Sequence, residues 1–122
     1  MTDDVVWELR EPPVRSIEAV NGTVVVSLGG ELDLYNAEEV REALAGAADG
    51  QPERLVVDLS GVEFIDSTAL GVLIEARTKL ANRQAFLLAA PRVETRRALE
   101  VSGLDRHFGI HDTVDAARAA SV

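Results

Sequence analysis

The sequence contains no cysteine and very few aromatic residues. Without cysteine, the chain has no disulfide bonds, thiolate zinc sites or cysteine nucleophile. Aromatic residues make up 4% of the 122 positions and hydrophobic residues 47%, so the core must consist mainly of valine, leucine, isoleucine and alanine. This composition is typical of a small aliphatic α/β domain. The length predicts one compact domain.

Basic residues are also scarce. The chain has 12 lysines and arginines against 21 aspartates and glutamates, a net charge of -9. This charge repels phosphate backbones and anionic lipid headgroups, so we expect no direct binding to nucleic acid. The apolar stretches are much shorter than the roughly 20 residues that cross a bilayer, and the start of the chain has no basic-then-apolar signal. We therefore expect a soluble, cytoplasmic protein that does not insert into membranes.

Four segments of the sequence predict β-strands. Two β-branched runs, residues 15–20 and 23–28, flank the dipeptide Asn21-Gly22, which favours a type I′ turn and thus a hairpin. Gly29-Gly30 is expected to end the second of these strands. The apolar run at residues 55–59 predicts an interior, parallel strand, and residues 85–89 predict another.

The N-terminal segment, residues 1–14, is set apart from the predicted domain at residues 15–122. It is charged and interrupted by Pro12 and Pro13. We interpret it either as a short edge strand around residues 5–9 or as a partly mobile segment.

Four further segments predict helices. Apolar residues from Ala37 to Ala47 recur at helical spacing, and Asn36 with Glu39 resembles a capping box. The other predicted helices are residues 67–82, residues 91–102 with Gly103 as a left-handed cap, and residues 113–120. The expected fold is therefore a single α/β domain with a mixed sheet of four to five strands and about four helices.

The stretch "FIDSTALGVL", residues 64–73, places three polar residues between a buried strand and a helix. The simplest interpretation is that Asp66 or Ser67 caps the helix. Another strand-to-helix turn places Asp33 just before a helix. Because binding sites in α/β sheets gather at the carboxyl ends of the strands, we expect Asp33, Asp66 and Ser67 to share one surface.

Three segments, "GELDLYNAEEV", "LVVDLSGVEFIDSTALGVL" and "RALEVSGLDRHF", resemble in order and spacing the anti-sigma factor antagonists of the STAS domain superfamily. The resemblance covers roughly residues 15–120. It implies that Ser67 is phosphorylated by a partner anti-sigma factor, a serine kinase of the histidine-kinase-like ATPase type, and that a serine phosphatase removes the phosphate. It further implies that Asp33 and Asp66 contribute to partner docking, and we expect Ser67 and Thr68 to belong to the same partner-binding surface. Thr68 is the second choice as phosphoacceptor, and Ala69 stands where the family often has glycine.

Other functions have weaker support in the sequence. Ile65 and Ala69 occupy the glycine positions of a nucleophile elbow, so we do not expect Ser67 to be a hydrolase nucleophile, nor the protein to be an enzyme. His107 and His111 lie in a segment without a helical pattern, and we expect no metal site there. No phosphate-binding Gly-x-x-x-x-Gly-Lys loop exists, so no cofactor is expected and ATP would be bound by the partner. The alternative function is a STAS regulatory subunit of a transporter or stress-signalling complex, without a phosphate switch.

Two groups of residues allow more than one interpretation. Trp7 and Tyr35 are either exposed interface aromatics or edges of the core. Arg92, Arg96 and Arg97 form either a solvated helix face or a partner contact.

Overall fold

The computed structural model describes residues 11–122. Strands and helices alternate along these residues after an initial pair of strands. They are β1 (Val14–Val20), β2 (Thr23–Leu32), α1 (Ala37–Asp49), β3 (Arg54–Ile65), α2 (Ser67–Thr78), β4 (Phe86–Ala89), α3 (Val93–Ser102), β5 (Gly109–His111) and α4 (Val114–Arg118). The predicted fold class, a mixed sheet of four to five strands with about four helices, is confirmed.

The five strands form one sheet in the order β1-β2-β3-β4-β5. β1 is antiparallel to β2, and the other three pairs are parallel. The predicted hairpin is confirmed, and its turn has positive φ at Asn21 (51°) and Gly22 (80°), as a type I′ turn requires. The apolar run in β3 is interior, because β2 and β4 pair with it on both sides.

Side chains of the interior strands alternate between two packed faces, as the period of two residues in a β-strand dictates. Leu55 and Val57 join the larger core cluster, which also includes Leu44 of α1 and Leu73 of α2. Val56 faces the opposite side, in a smaller cluster that includes Ala117 of α4. Both faces of β3 are therefore buried.

The second strand runs past the predicted stop at Gly29-Gly30 and ends at Leu32. The two glycines do not end the strand but accompany breaks in its register with β3. Gly61 on β3 faces this irregular stretch, where an added Cβ would lie 2.9 Å from the carbonyl oxygen of Leu28. The extension matters because it brings the end of β2 level with the end of β3.

The helix α2 ends at Thr78, four residues before the predicted end at residue 82. The amide N–H of Ala81 donates to Gln51 Oε1 at 2.9 Å, and Gln51 Nε2 donates to the carbonyl oxygen of Lys79 at 2.9 Å. A side chain distant in sequence thus forms hydrogen bonds with the backbone groups just after the helix. Local periodicity cannot indicate such a contact. Leu80, in the same segment, is buried.

The fifth strand is β5, which the sequence pattern did not predict. Its three residues pair with β4 and have no β-branched run of their own. The predicted edge strand near residues 5–9, like Trp7, lies outside the described residues. None of the helices in residues 11–122 is long and apolar enough to span a membrane.

Candidate functional site

Two strand-to-helix loops meet at the carboxyl ends of β2 and β3. Leu32 and Ile65, the last residues of these strands, are register partners. The amide N–H of Asp66 donates to the carbonyl oxygen of Leu32 at 3.0 Å, which extends the pairing into the loops. The prediction that the two loops share one surface thus has a direct structural basis in the parallel pairing of β2 with β3.

The carboxylate of Asp66 joins the two loops. One of its oxygens accepts from the amide N–H of Ala69 at 2.9 Å and thereby caps α2. The other accepts from the amide N–H of Leu34, in the loop before α1, at 3.1 Å. Of the two capping candidates, Asp66 rather than Ser67 is the cap, and it also fixes the neighbouring loop.

Asp33 and Asn36 shape the loop between β2 and α1. The amide N–H of Tyr35 donates to Asp33 Oδ1 at 3.0 Å, which closes a tight turn. Asn36 is buried; its side chain accepts from the amide N–H of Asp33 at 2.9 Å and donates to the carbonyl oxygen of Glu31 at 2.8 Å. The predicted capping box is wrong, because Asn36 uses its side chain to hold this loop and makes no side-chain cap hydrogen bond with α1.

Ser67 is the first residue of α2 and is exposed, whereas Thr68 is half-buried. Their amide N–H groups point out of the first helical turn, and no acceptor for them is found among the described residues. An exposed hydroxyl therefore lies beside two amide groups that favour an anion. This geometry suits a phosphoacceptor at Ser67 better than at Thr68.

Exposed apolar side chains lie in the loop before α1 and at the end of β3. The exposed fractions are 66% for Leu34, 74% for Tyr35 and 52% for Phe64. Tyr35 is therefore not a core edge. Sequence reasoning did not single out Leu34 or Phe64, although apolar residues within a loop next to a capping aspartate are a usable signal. Such a group of exposed apolar residues is typical of a protein-binding surface.

The rim of the site is acidic. Glu31 and Glu63 are exposed near the ends of β2 and β3, shortly before the loops that carry Asp33 and Asp66. On the helices behind them, Arg41 of α1 donates to Glu75 of α2 at 2.7 Å. Arg41 donates hydrogen bonds to Glu75 and to Glu38. These bonds raise the pKa of its guanidinium above the ordinary value, and the bond to Glu75 has the larger effect. The arginine thus ties α1 to α2.

Comparison with known proteins identifies the family. The family model of the STAS domain matches residues 15–117. The chain belongs to the STAS domain family. This STAS domain is 37% identical over 97 residues to the anti-sigma-F factor antagonist RsfB of Mycobacterium tuberculosis, and the match covers 80% of each chain.

Solved structures of related proteins agree with this assignment. A crystal structure of an anti-sigma factor antagonist from Mycobacterium paratuberculosis has a TM-score of 0.79 and 35% identity, covering 84% of this chain and 88% of the other. The Bacillus cell fate determinant SpoIIAA in its phosphorylated form has a TM-score of 0.64 and 25% identity, covering 84% and 95%. The expected family and fold are confirmed.

The other candidates from the sequence lie outside this site. His107 follows a short 3₁₀ helix and His111 lies in β5, so the two do not share a helical face. Within residues 11–122, no group of three or more histidine, cysteine, aspartate or glutamate side chains is placed to hold a metal ion. Arg92 donates to the carbonyl oxygen of Ser60 at 2.8 Å, and Arg96 pairs with Asp112 at 3.1 Å.

Proposed function

We propose that this STAS domain is an anti-sigma factor antagonist that binds an anti-sigma factor kinase while the hydroxyl of Ser67 is free. Phosphorylation of Ser67 by that kinase ends the interaction, and a serine phosphatase restores it. Binding to the kinase releases a sigma factor. The domain itself is not an enzyme, and it works in the cytoplasm, where the transcription machinery is located.

The exposed position of Ser67 at the start of α2 is the observation that carries this proposal. A kinase must reach the acceptor hydroxyl, and the same hydroxyl must lie inside the docking surface if its modification is to block binding. Ser67 meets both conditions, because it is exposed and directly follows Asp66, which holds the loop that carries the exposed side chains of Leu34 and Tyr35. The names of the relatives, including a structure in a phosphorylated form, support the same function.

A phosphate on Ser67 is expected to weaken the complex strongly and to change the stability of the free domain little. It adds about -1.5 to -2 charges and three acceptor oxygens. In the free domain, the amide groups of Ser67 and Thr68 and the helix dipole favour this charge by about 0.3 to 1 kcal/mol. In a complex, the phosphate has to be desolvated next to the carboxylates of Asp33 and Asp66. The switch therefore works by charge and steric exclusion at one point.

The phosphorylation reaction tests the proposal directly. The tagged domain is used to capture proteins from cells of its source organism, and a histidine-kinase-like ATPase among them is purified. Incubation with this kinase and ATP should add one phosphate, which peptide mass spectrometry locates on Ser67. The Ser67→Ala variant should take up none.

Other results have distinct meanings. Phosphate on Thr68 with Ser67 unmodified would shift the acceptor by one residue. Capture of a transporter subunit, with no kinase and no phosphate on either residue, would contradict the proposal.

Asp33→Ala should weaken kinase binding about tenfold, close to 1.4 kcal/mol, because the tight turn that presents Leu34 and Tyr35 depends on the Asp33 carboxylate. The free energy of unfolding should fall by only about 1 kcal/mol, since Asn36 still holds the loop from inside. Calorimetric titration and urea unfolding measure the two effects. A variant that fails to fold would show instead that Asp33 is mainly structural.

A further inference from the structure

The exposed face of α2 continues away from Ser67. Gly71, Ile74 and Thr78 follow Ser67 at intervals of four, three and four residues, so they lie in one row along the helix. All four are exposed, and the row is about 16 Å long. Ile74 keeps 43% of its surface exposed although it is a large aliphatic residue. A partner that covers Ser67 and extends along α2 therefore lies against this row.

Gly71 makes the row flat at its centre. A Cβ added to Gly71 would have no other atom within 4 Å, and its φ is not in the left-handed region. Neither packing within the chain nor backbone conformation therefore requires glycine, which lowers helix stability relative to alanine. The lack of a side chain does, however, let the backbone of another molecule come close to the helix.

A cleft with basic walls lies at the far end of the row. It has a volume of about 290 Å³, and its apolar lining includes Ile74, Leu104 and Phe108. Arg77 and Arg83 line its sides. The Nε atom of Arg77 is buried and has no hydrogen-bond partner. Among the described residues, neither arginine has a carboxylate within ion-pair distance, although the chain has 21 acidic residues and 12 basic ones.

We propose that the row and the cleft extend the docking surface for the kinase, with a carboxylate-bearing apolar segment of the kinase seated between Arg77 and Arg83. This inference rests on the proposed function. The kinase backbone passes over Gly71, an apolar side chain contacts Ile74 and the half-buried Leu104, and an adjacent carboxylate pairs with the two guanidinium groups. Ser67 at one end of the row controls binding. The cleft at the other end adds a basic anchor that attracts negative groups, whereas the acidic rim near Ser67 attracts positive ones.

The shape of the cleft favours a protein segment over a small molecule. Ligand pockets usually measure about 300 to 1,000 Å³ and enclose most of the ligand. A cleft of about 290 Å³ on the surface is just below that range and suits one or two anchoring side chains. Its continuity with Ser67 through the row makes the kinase the occupant.

Gly71→Ala tests the row, with Gly46→Ala as its matched control. Gly46 lies in α1, and a Cβ added there also has nothing within 4 Å. Both variants should raise the melting temperature slightly, because alanine favours helices. Gly71→Ala should lower the affinity for the purified kinase at least fivefold, whereas Gly46→Ala should leave it unchanged. Wild-type affinity in Gly71→Ala would overturn the proposal.

Arg83→Gln tests the cleft, with Arg97→Gln on α3 as a control for the loss of one positive charge. Both arginines are exposed, and within residues 11–122 neither has an ion-pair partner. Arg83→Gln should weaken kinase binding about threefold to tenfold at low salt and reduce its salt dependence, whereas Arg97→Gln should change neither. Equal affinities of the two variants would overturn the assignment of the cleft. If the kinase does not bind the wild-type domain at all, the proposed function fails together with this inference.

Discussion

Replacing Ser67 by aspartate is expected to lower the affinity for the anti-sigma factor kinase at least tenfold, or about 1.4 kcal/mol. The change puts a permanent carboxylate on the exposed first residue of α2, beside Asp66 and the exposed apolar side chains of the loops. In the free domain this charge is acceptable, since the start of a helix favours a negative group. The helix cap is not disturbed, because Asp66 provides it. The melting temperature should therefore stay close to that of the wild type.

Calorimetric titration with the purified kinase and thermal unfolding of the free variant measure the two quantities. Ser67→Ala is the companion variant: it should bind at wild-type affinity with little loss of stability, since the hydroxyl of Ser67 makes no cap hydrogen bond. Ser121→Asp is the control for total charge. Ser121 is exposed beside Arg54 at the opposite end of β3, so its substitution should leave binding unchanged. Wild-type affinity in Ser67→Asp would contradict the switch.

Local sequence signals were enough to predict the frame of this site. The turn Asn21-Gly22 predicts the hairpin because both residues tolerate positive φ, as they show here. The apolar run in β3 predicts an interior parallel strand because both of its faces must be covered. A strand of that kind followed directly by a helical pattern is enough to place Ser67 at the start of α2.

The contacts between the loops could not be predicted in the same way. The hydrogen bond from the amide of Leu34 to Asp66 joins residues 32 positions apart, and it exists only because β2 and β3 end at the same level. The sequence does not indicate that β2 and β3 end side by side, because the glycines at 29 and 30 suggest an earlier end of β2. Phe64 resembles a core residue by type, yet its position near the end of β3 leaves it 52% exposed. Tertiary context decides these features.

Asp66→Ala is the second substitution with a large expected effect. It removes both hydrogen bonds of the carboxylate, the cap to Ala69 and the link to Leu34. The free energy of unfolding should fall by about 2 kcal/mol, at the upper end for a lost cap. Kinase affinity should also fall at least tenfold, or about 1.4 kcal/mol, because Leu34 and Tyr35 are no longer held beside Ser67. Urea unfolding and calorimetric titration measure these effects.

Asp66→Asn separates the link between the loops from the helix cap. Asparagine caps helices about as well as aspartate, so its oxygen can still accept from Ala69. Its NH₂ group then faces the amide N–H of Leu34, and two donors cannot form a hydrogen bond. We therefore expect Asp66→Asn to keep most of the stability lost in Asp66→Ala but to bind the kinase as poorly. Thr113→Ala removes the cap of α4, outside this site, and should lower stability by about 1 kcal/mol without changing affinity. If Asp66→Asn binds like the wild type, the cap alone shapes the docking surface and the link to Leu34 is dispensable.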